Sequence, residues 1–178
     1  MKEVTSDLLA LLSDCVAILN KLGLGEFSVR RVAWRASVCF NGTEIAWADT
    51  TQRRYNCFPL KIPILIPDPP DIISKNVILN SLLSCAVAIK VFGDQWQEVH
   101  FIGVLNEIRE WAIIPPNAAT HPLVISLPPL GEWNGNEPYE VKLIVYPFPN
   151  EEPKILKLKP SELPNIDEIM RVTALMRL

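Results

Sequence analysis

Trp34-Arg35-Ala36-Ser37-Val38-Cys39-Phe40-Asn41-Gly42-Thr43-Glu44-Ile45-Ala46-Trp47 is the stretch that decides the fold. Asn-Gly is the preferred dipeptide of a two-residue hairpin turn, because both central positions of a type I′ turn need positive φ. With the turn placed there, Phe40 faces Thr43, Val38 faces Ile45 and Ala36 faces Trp47. That register gathers Trp34, Val38, Phe40, Ile45 and Trp47 on one face, and Arg31, Arg35, Ser37, Cys39 and Glu44 on the other. One apolar and one polar face is the pattern of an antiparallel sheet with a single buried side.

Upstream, residues from about Ser6 to Leu22 read as a helix, with Thr5 or Ser6 as N-cap and Gly23 and Gly25 ending it. Leu8, Leu9, Leu11, Leu12, Cys15, Val16, Ile18, Leu19 and Leu22 cover most of its circumference. A helix with so narrow a polar stripe is either deeply buried or packs on a partner.

Downstream, prolines punctuate the chain. Tyr55 to Ile66 is extended but proline-broken, an edge strand or an arm, with the Pro-rich part at about 58–70. Asp71 is the expected cap of a helix reaching about Leu83, followed by a hairpin of Ala86–Phe92 and Gln97–Leu105 around Gly93-Asp94. A short helix is expected from about Asn106 to Trp111. Leu123–Leu127, Tyr139–Tyr146 and Ile155–Leu158 read as strands. Asn165-Ile166-Asp167-Glu168 resembles a capping box that opens a helix to about Arg177. The order predicts one α+β domain over 1–178: a mostly antiparallel sheet built from hairpins, with N-terminal, central and C-terminal helices mainly on one face.

The whole-chain numbers narrow the function classes. Of 178 residues, 49% are hydrophobic and 21% charged, with a net charge of −3. No global field draws such a chain to nucleic acid or to an anionic membrane. Cys15, Cys39, Cys57 and Cys85 form no C-x-x-C pair, so no zinc site is expected, and the cysteines read as reduced in a cytoplasmic setting. The apolar run Val77–Phe92, interrupted by Asn80, Ser81, Ser84 and Lys90, falls short of the about 20 apolar residues of a membrane span. No cofactor, metal or membrane is expected.

Four features carry candidate chemistry, each with a plainer explanation beside it. Arg30, Arg31, Arg35, Arg53 and Arg54, interleaved with Trp34, Trp47 and Tyr55, have the composition of a phosphate- and base-binding face, or of an ordinary solvated face. Glu140-Val141-Lys142 carries the E-x-K of metal-dependent nucleases, yet any amphipathic strand reads this way. His100 and His121 lack a visible general-acid or general-base partner. Cys57 follows Arg53-Arg54, a setting for a reactive thiol or for a small buried hydrophobe.

The apolar excess therefore leads the functional expectation: a non-catalytic interaction or assembly subunit, a homo-oligomer or the binder of a partner protein, cytoplasmic or part of a virion. Its expected contact residues are Leu8, Leu12, Leu19, Phe58, Ile64, Ile66, Met170 and Met176. The alternative is nucleic-acid binding through the arginine face, with nuclease chemistry at Glu140 and Lys142 as its extension.

Overall fold

The computed structural model describes residues 2–58, 60, 62–102, 111–116, 123–131, 133, 135–146, 152–169 and 171, with side chains from Asp7 onward. Helix α1 (Lys2–Asn20) leads into a five-strand meander, β1 (Phe27–Val32), β2 (Arg35–Phe40), β3 (Thr43–Asp49), β4 (Arg54–Cys57) and β5 (Ile64–Leu65). Helix α2 (Ile72–Phe92) follows. A second meander holds β6 (His100–Ile102), β7 (Trp111–Ile114), β8 (Leu123–Leu127), β9 (Val141–Val145) and β10 (Lys154–Leu158). Every strand pairs antiparallel with its sequence neighbours, in the orders β1-β2-β3-β4-β5 and β10-β9-β8-β7-β6. The α+β class with hairpin-built antiparallel sheets is thus as expected. The strands divide between two sheets, however, and α2 packs against both.

Helix α1 starts earlier than expected, since nothing in Lys2-Glu3-Val4 opposes helix, and it stops before Gly23, whose φ is +71°. Its end is clamped to β1: the Asn20 side-chain amide donates to the Phe27 carbonyl, and its Oδ1 accepts from the Phe27 N–H at 2.7 Å. The β2–β3 turn is at Asn41-Gly42 as predicted, with φ of 49° and 86°.

The register beyond that turn differs. A bulge at Val38/Cys39 leaves Ile45 as the extra residue, so Val38 pairs with Ala46 and Ser37 with Trp47. From there on β3 is turned over, and Trp47 leaves the core face for the outer one. Ala46 and Ala48 take the inner positions that the unbulged register assigns to Ile45 and Trp47, and both are buried.

The second correction is α2, which is one continuous helix of 21 residues, not a helix followed by a hairpin. Asp71 caps it, its carboxylate accepting from the Ser74 N–H at 2.8 Å, and Gly93 closes it at φ 55°. Residues 93–98 are a 3₁₀ turn; of the helix expected from about Asn106 to Trp111 only Trp111 lies within the described residues, and it is in strand β7. Sixteen α2 residues are buried, because the helix packs against β3 and β4 on one side, β7 on another, and α1 besides. Two successive polar residues join it to the two sheets. Ser81 meets Tyr55 of β4 at 2.7 Å, while Asn80 accepts from Leu130 N–H at 3.2 Å and donates to the Pro128 carbonyl. By length and composition the helical stretch 72–98, α2 with the turn after it, is apolar enough to cross a membrane, and 78% of its most apolar 18 residues is buried inside the fold.

Beyond β10, residues 160–162 make a 3₁₀ turn, held to the end of α2 by Lys90, whose ammonium donates to the Pro160 and Ser161 carbonyls. Asn165 caps the next helical turn, 166–169, accepting from the Glu168 N–H at 2.9 Å as predicted, and most of the remaining helix expected to about Arg177 lies outside the described residues.

Candidate interaction surfaces

The helices pack on the inner face of the first sheet, and its outer face is assembled from alternating residues of all five strands. Register places Arg30 beside Ser37, Ser37 beside Trp47, and Trp47 beside Asn56 in one row across four strands. Val32, Arg35 and Asp49 form the next row, and Arg54 pairs with Leu65. Arg35 lies over the Trp47 ring, 5.3 Å from its centroid, and donates to both carboxylate oxygens of Glu44 at 3.0 Å. Trp34, half exposed in the β1–β2 turn, meets Trp47 edge-on with centroids 6.3 Å apart. Beneath them the Ser37 hydroxyl and the Asn56 side-chain N–H₂ are buried without a hydrogen-bond partner.

The bulge therefore brings arginine and tryptophan onto one face, where the unbulged register separates them. It also divides the arginines. Arg30, Arg35 and Arg54 share the outer face, whereas Arg31 pairs with Ala36 and belongs to the opposite one. Arg53 is turned inward, with φ of 60°. Its guanidinium donates to both Asp7 oxygens and to the Ile66 and Pro67 carbonyls. It thereby anchors α1 and the end of the arm, and is not available to a phosphate.

The second surface is the arm and the root of α2. Phe58, Ile62, Leu65, Ile72 and Ile73 are all exposed, Ile62 at 74% and Leu65 at 69%. The short edge strand β5 explains the alternation: Ile64 pairs with Tyr55 and turns inward, while Leu65 turns outward beside Arg54. Phe58 touches Trp96 of the 3₁₀ turn edge-on at 4.9 Å, which ties the start of the arm to the far end of α2. The expected contact residues divide accordingly. Phe58 is exposed and Ile64 partly so, but Leu8, Leu12 and Leu19 are wholly buried and Ile66 nearly so. Those four fill the chain's own core, because α2 and the first sheet supply the cover that the sequence left to a partner. Met170 and Met176 lie outside the described residues. Leu65, Ile62, Ile72 and Ile73 were missed. For Leu65 the signal was available, since it is out of phase with Ile64 and Ile66.

A third exposed edge is β10, whose Lys154, Ile155, Leu156 and Lys157 all face solvent. Its Lys157 pairs across the ladder with Lys142. Ser126 is the neighbour of Lys142 on the other side, so the two ladder positions flanking the E-x-K hold a serine and a lysine, where metal-dependent cleavage wants an acid. Glu140 is exposed just ahead of β9. Among the described residues no three of His, Cys, Asp and Glu gather closely enough to hold a metal ion. His100 is exposed on edge strand β6, not enclosed, and His121 lies outside the described residues. Cys57 faces inward from β4, away from Arg54, and Arg53 is engaged with Asp7. Its neighbour is instead the Cys85 thiol, 3.4 Å away and buried in α2.

Comparison with protein-family models, with curated proteins and with solved structures finds no match to this chain. The surfaces themselves are the basis for a functional reading.

Proposed function

We propose that this protein is a non-catalytic interaction or assembly subunit, and that it docks through the apolar arm and the first turn of α2. The observation that carries this reading is the group of large exposed apolar side chains on the arm and at the start of α2, Ile62, Leu65, Ile72 and Ile73, with Phe58 exposed at the arm's other end. Single exposed apolar residues need no explanation, but several drawn from one short stretch of chain point to a contact site. The occupant is a second copy or a partner protein, in the cytoplasm or within a larger particle.

The test is light scattering on the untagged protein across a concentration series, beside a variant carrying Ile62→Asp and Leu65→Asp. Self-association of the wild type, lost in the variant, supports the reading. A monomeric wild type that neither binds the dye ANS at this patch nor cross-links to another protein in its native extract would overturn it.

A second reading rests on the outer face of the first sheet, where Arg30, Arg35 and Arg54 surround Trp47 and Trp34. An open sheet face with stacking rings and cations suits single-stranded nucleic acid. Under it, Arg30→Glu with Arg54→Glu abolishes oligonucleotide binding and its salt dependence. A wild type with no affinity for oligonucleotides at low salt removes it.

A further inference from the structure

The thiols of Cys57 and Cys85 lie 3.4 Å apart, at the point where β4 ends and the arm begins. Both residues are buried, and Cys15 and Cys39 complete the four free cysteines. A disulfide needs about 2.05 Å between sulfurs, so closure asks for an approach of about 1.4 Å, less than a rotamer change moves a sulfur atom. The bond would join β4 to α2 beside the Tyr55–Ser81 contact, where both elements are already fixed by packing. It would also enclose residues 57–85 in one ring, and that ring contains every member of the exposed apolar set, Phe58 through Ile73.

We infer that Cys57 and Cys85 form a dithiol–disulfide pair that fixes the root of the arm when the protein meets a disulfide oxidant. The chemistry balances with a small disulfide such as oxidised glutathione. Local opening at the start of the arm brings the Cys57 thiolate, otherwise buried, to solvent, where it attacks one glutathione sulfur and expels glutathione thiolate, leaving a mixed disulfide. The Cys85 thiolate then attacks the Cys57 sulfur and expels the second glutathione. Two protein thiols become one disulfide, two electrons pass to the oxidant, and two glutathione thiols carry the protons away. Burial pushes the Cys85 thiol well above its usual range, so this second step quickens as the pH is raised.

The consequence for docking rests on the interaction reading above. Both ends of that ring are already held in the folded protein, so the bond restricts mainly the unfolded chain and keeps the docking arm seated under conditions where the reduced protein opens.

The experiment is incubation of the full-length protein with oxidised glutathione, followed by thiol counting under denaturing conditions and peptide mapping by mass spectrometry. The expected result is loss of two of the four thiols and a peptide pair joined through Cys57 and Cys85. The melting temperature should rise by roughly 5–15 °C, a rise that dithiothreitol reverses. Cys57→Ser and Cys85→Ser should each abolish both changes, while Cys39→Ser should abolish neither. Four titratable thiols after oxidation, or a bond through Cys15 or Cys39, would overturn the inference. Mapping on the wild type decides the matter even where a serine variant fails to fold. The thiol count is independent of oligomeric state, so a stable monomer that still forms the bond refutes the docking role alone.

Discussion

The hydroxyls of Tyr55 and Ser81 meet at 2.7 Å in the fully buried seam between β4 and α2, and the direction of that hydrogen bond is set by a third group. Ser81 Oγ also lies 3.0 Å from the Ile78 carbonyl, which can only accept. The single serine proton goes there, so Tyr55 donates and Ser81 accepts. Removing either side then has unequal effects. Tyr55→Phe leaves Ser81 bonded to Ile78 and should cost about 1 kcal/mol, whereas Ser81→Ala strands a buried phenol O–H and should cost about 1–3 kcal/mol. Urea midpoints of the two variants check the order, and equal losses would reverse the assigned direction.

Acid sensitivity should trace to two carboxylates. The Arg53 guanidinium holds the Asp7 carboxyl below its ordinary value of 3.8, and the Ser74 hydrogen bonds at the α2 N-cap do the same for Asp71. Near that pH the unfolded chain therefore binds more protons than the folded one. Stability rises with pH through the window and is lost as the pH falls through the folded-state values. Thermal melts from about pH 2 to 6 should show a steep loss below about pH 4, flattened in Asp7→Asn.

Two glycines separate steric from conformational cost. A Cβ at Gly25 would sit 2.5 Å from the buried Phe40 ring and 2.9 Å from Asn41 Oδ1, so the ring or the turn must move. At Gly42 a Cβ meets nothing, and only its φ of +86° resists substitution. Gly25→Ala should cost about 1–3 kcal/mol by overpacking, and Gly42→Ala about 1–2 kcal/mol by backbone strain. Only the first should be partly rescued when Phe40 is shortened to Leu, a coupling that a double-mutant cycle reads directly.

Asn80 is expected to hold the second sheet to α2 through the 128–130 turn. Asn80→Ala leaves the buried Leu130 N–H without its acceptor, at a cost of about 1–3 kcal/mol. Amide exchange should quicken at Leu130 while the first sheet keeps its protection.

These contacts also show what was legible from residue order. Asn41-Gly42 announces its own turn, Asp71 and Asn165 announce their caps, and the Tyr139–Val145 alternation survives intact because one side faces the core. The bulge at Val38/Cys39 was not legible, since an Asn-Gly turn fixes only the first pairs and Ile45 fits a core position in either register. Helix α2 is hidden in the sequence for a related reason. It is buried by two sheets and α1 together, so it lacks the polar stripe by which helices are found, and Ala86–Phe92 alone resembles a buried strand. The arginine–tryptophan cluster depended on that same bulge, and the Cys57–Cys85 approach on the true length of α2. Leu8, Leu12 and Leu19 look unpartnered in sequence because their cover, α2 and the first sheet, comes from elements further along the chain.

The position of α2 between two meanders has a consequence for synthesis. As the chain leaves the ribosome, α1 and the first sheet can close on themselves through neighbouring strands alone, and α2 can dock on them. Its other side then stays bare until β7 has been made, about 20 residues later by sequence. A nascent chain paused in that interval presents the apolar side of α2 to solvent. Apolar surface exposed in this way is where an incomplete chain is prone to aggregate.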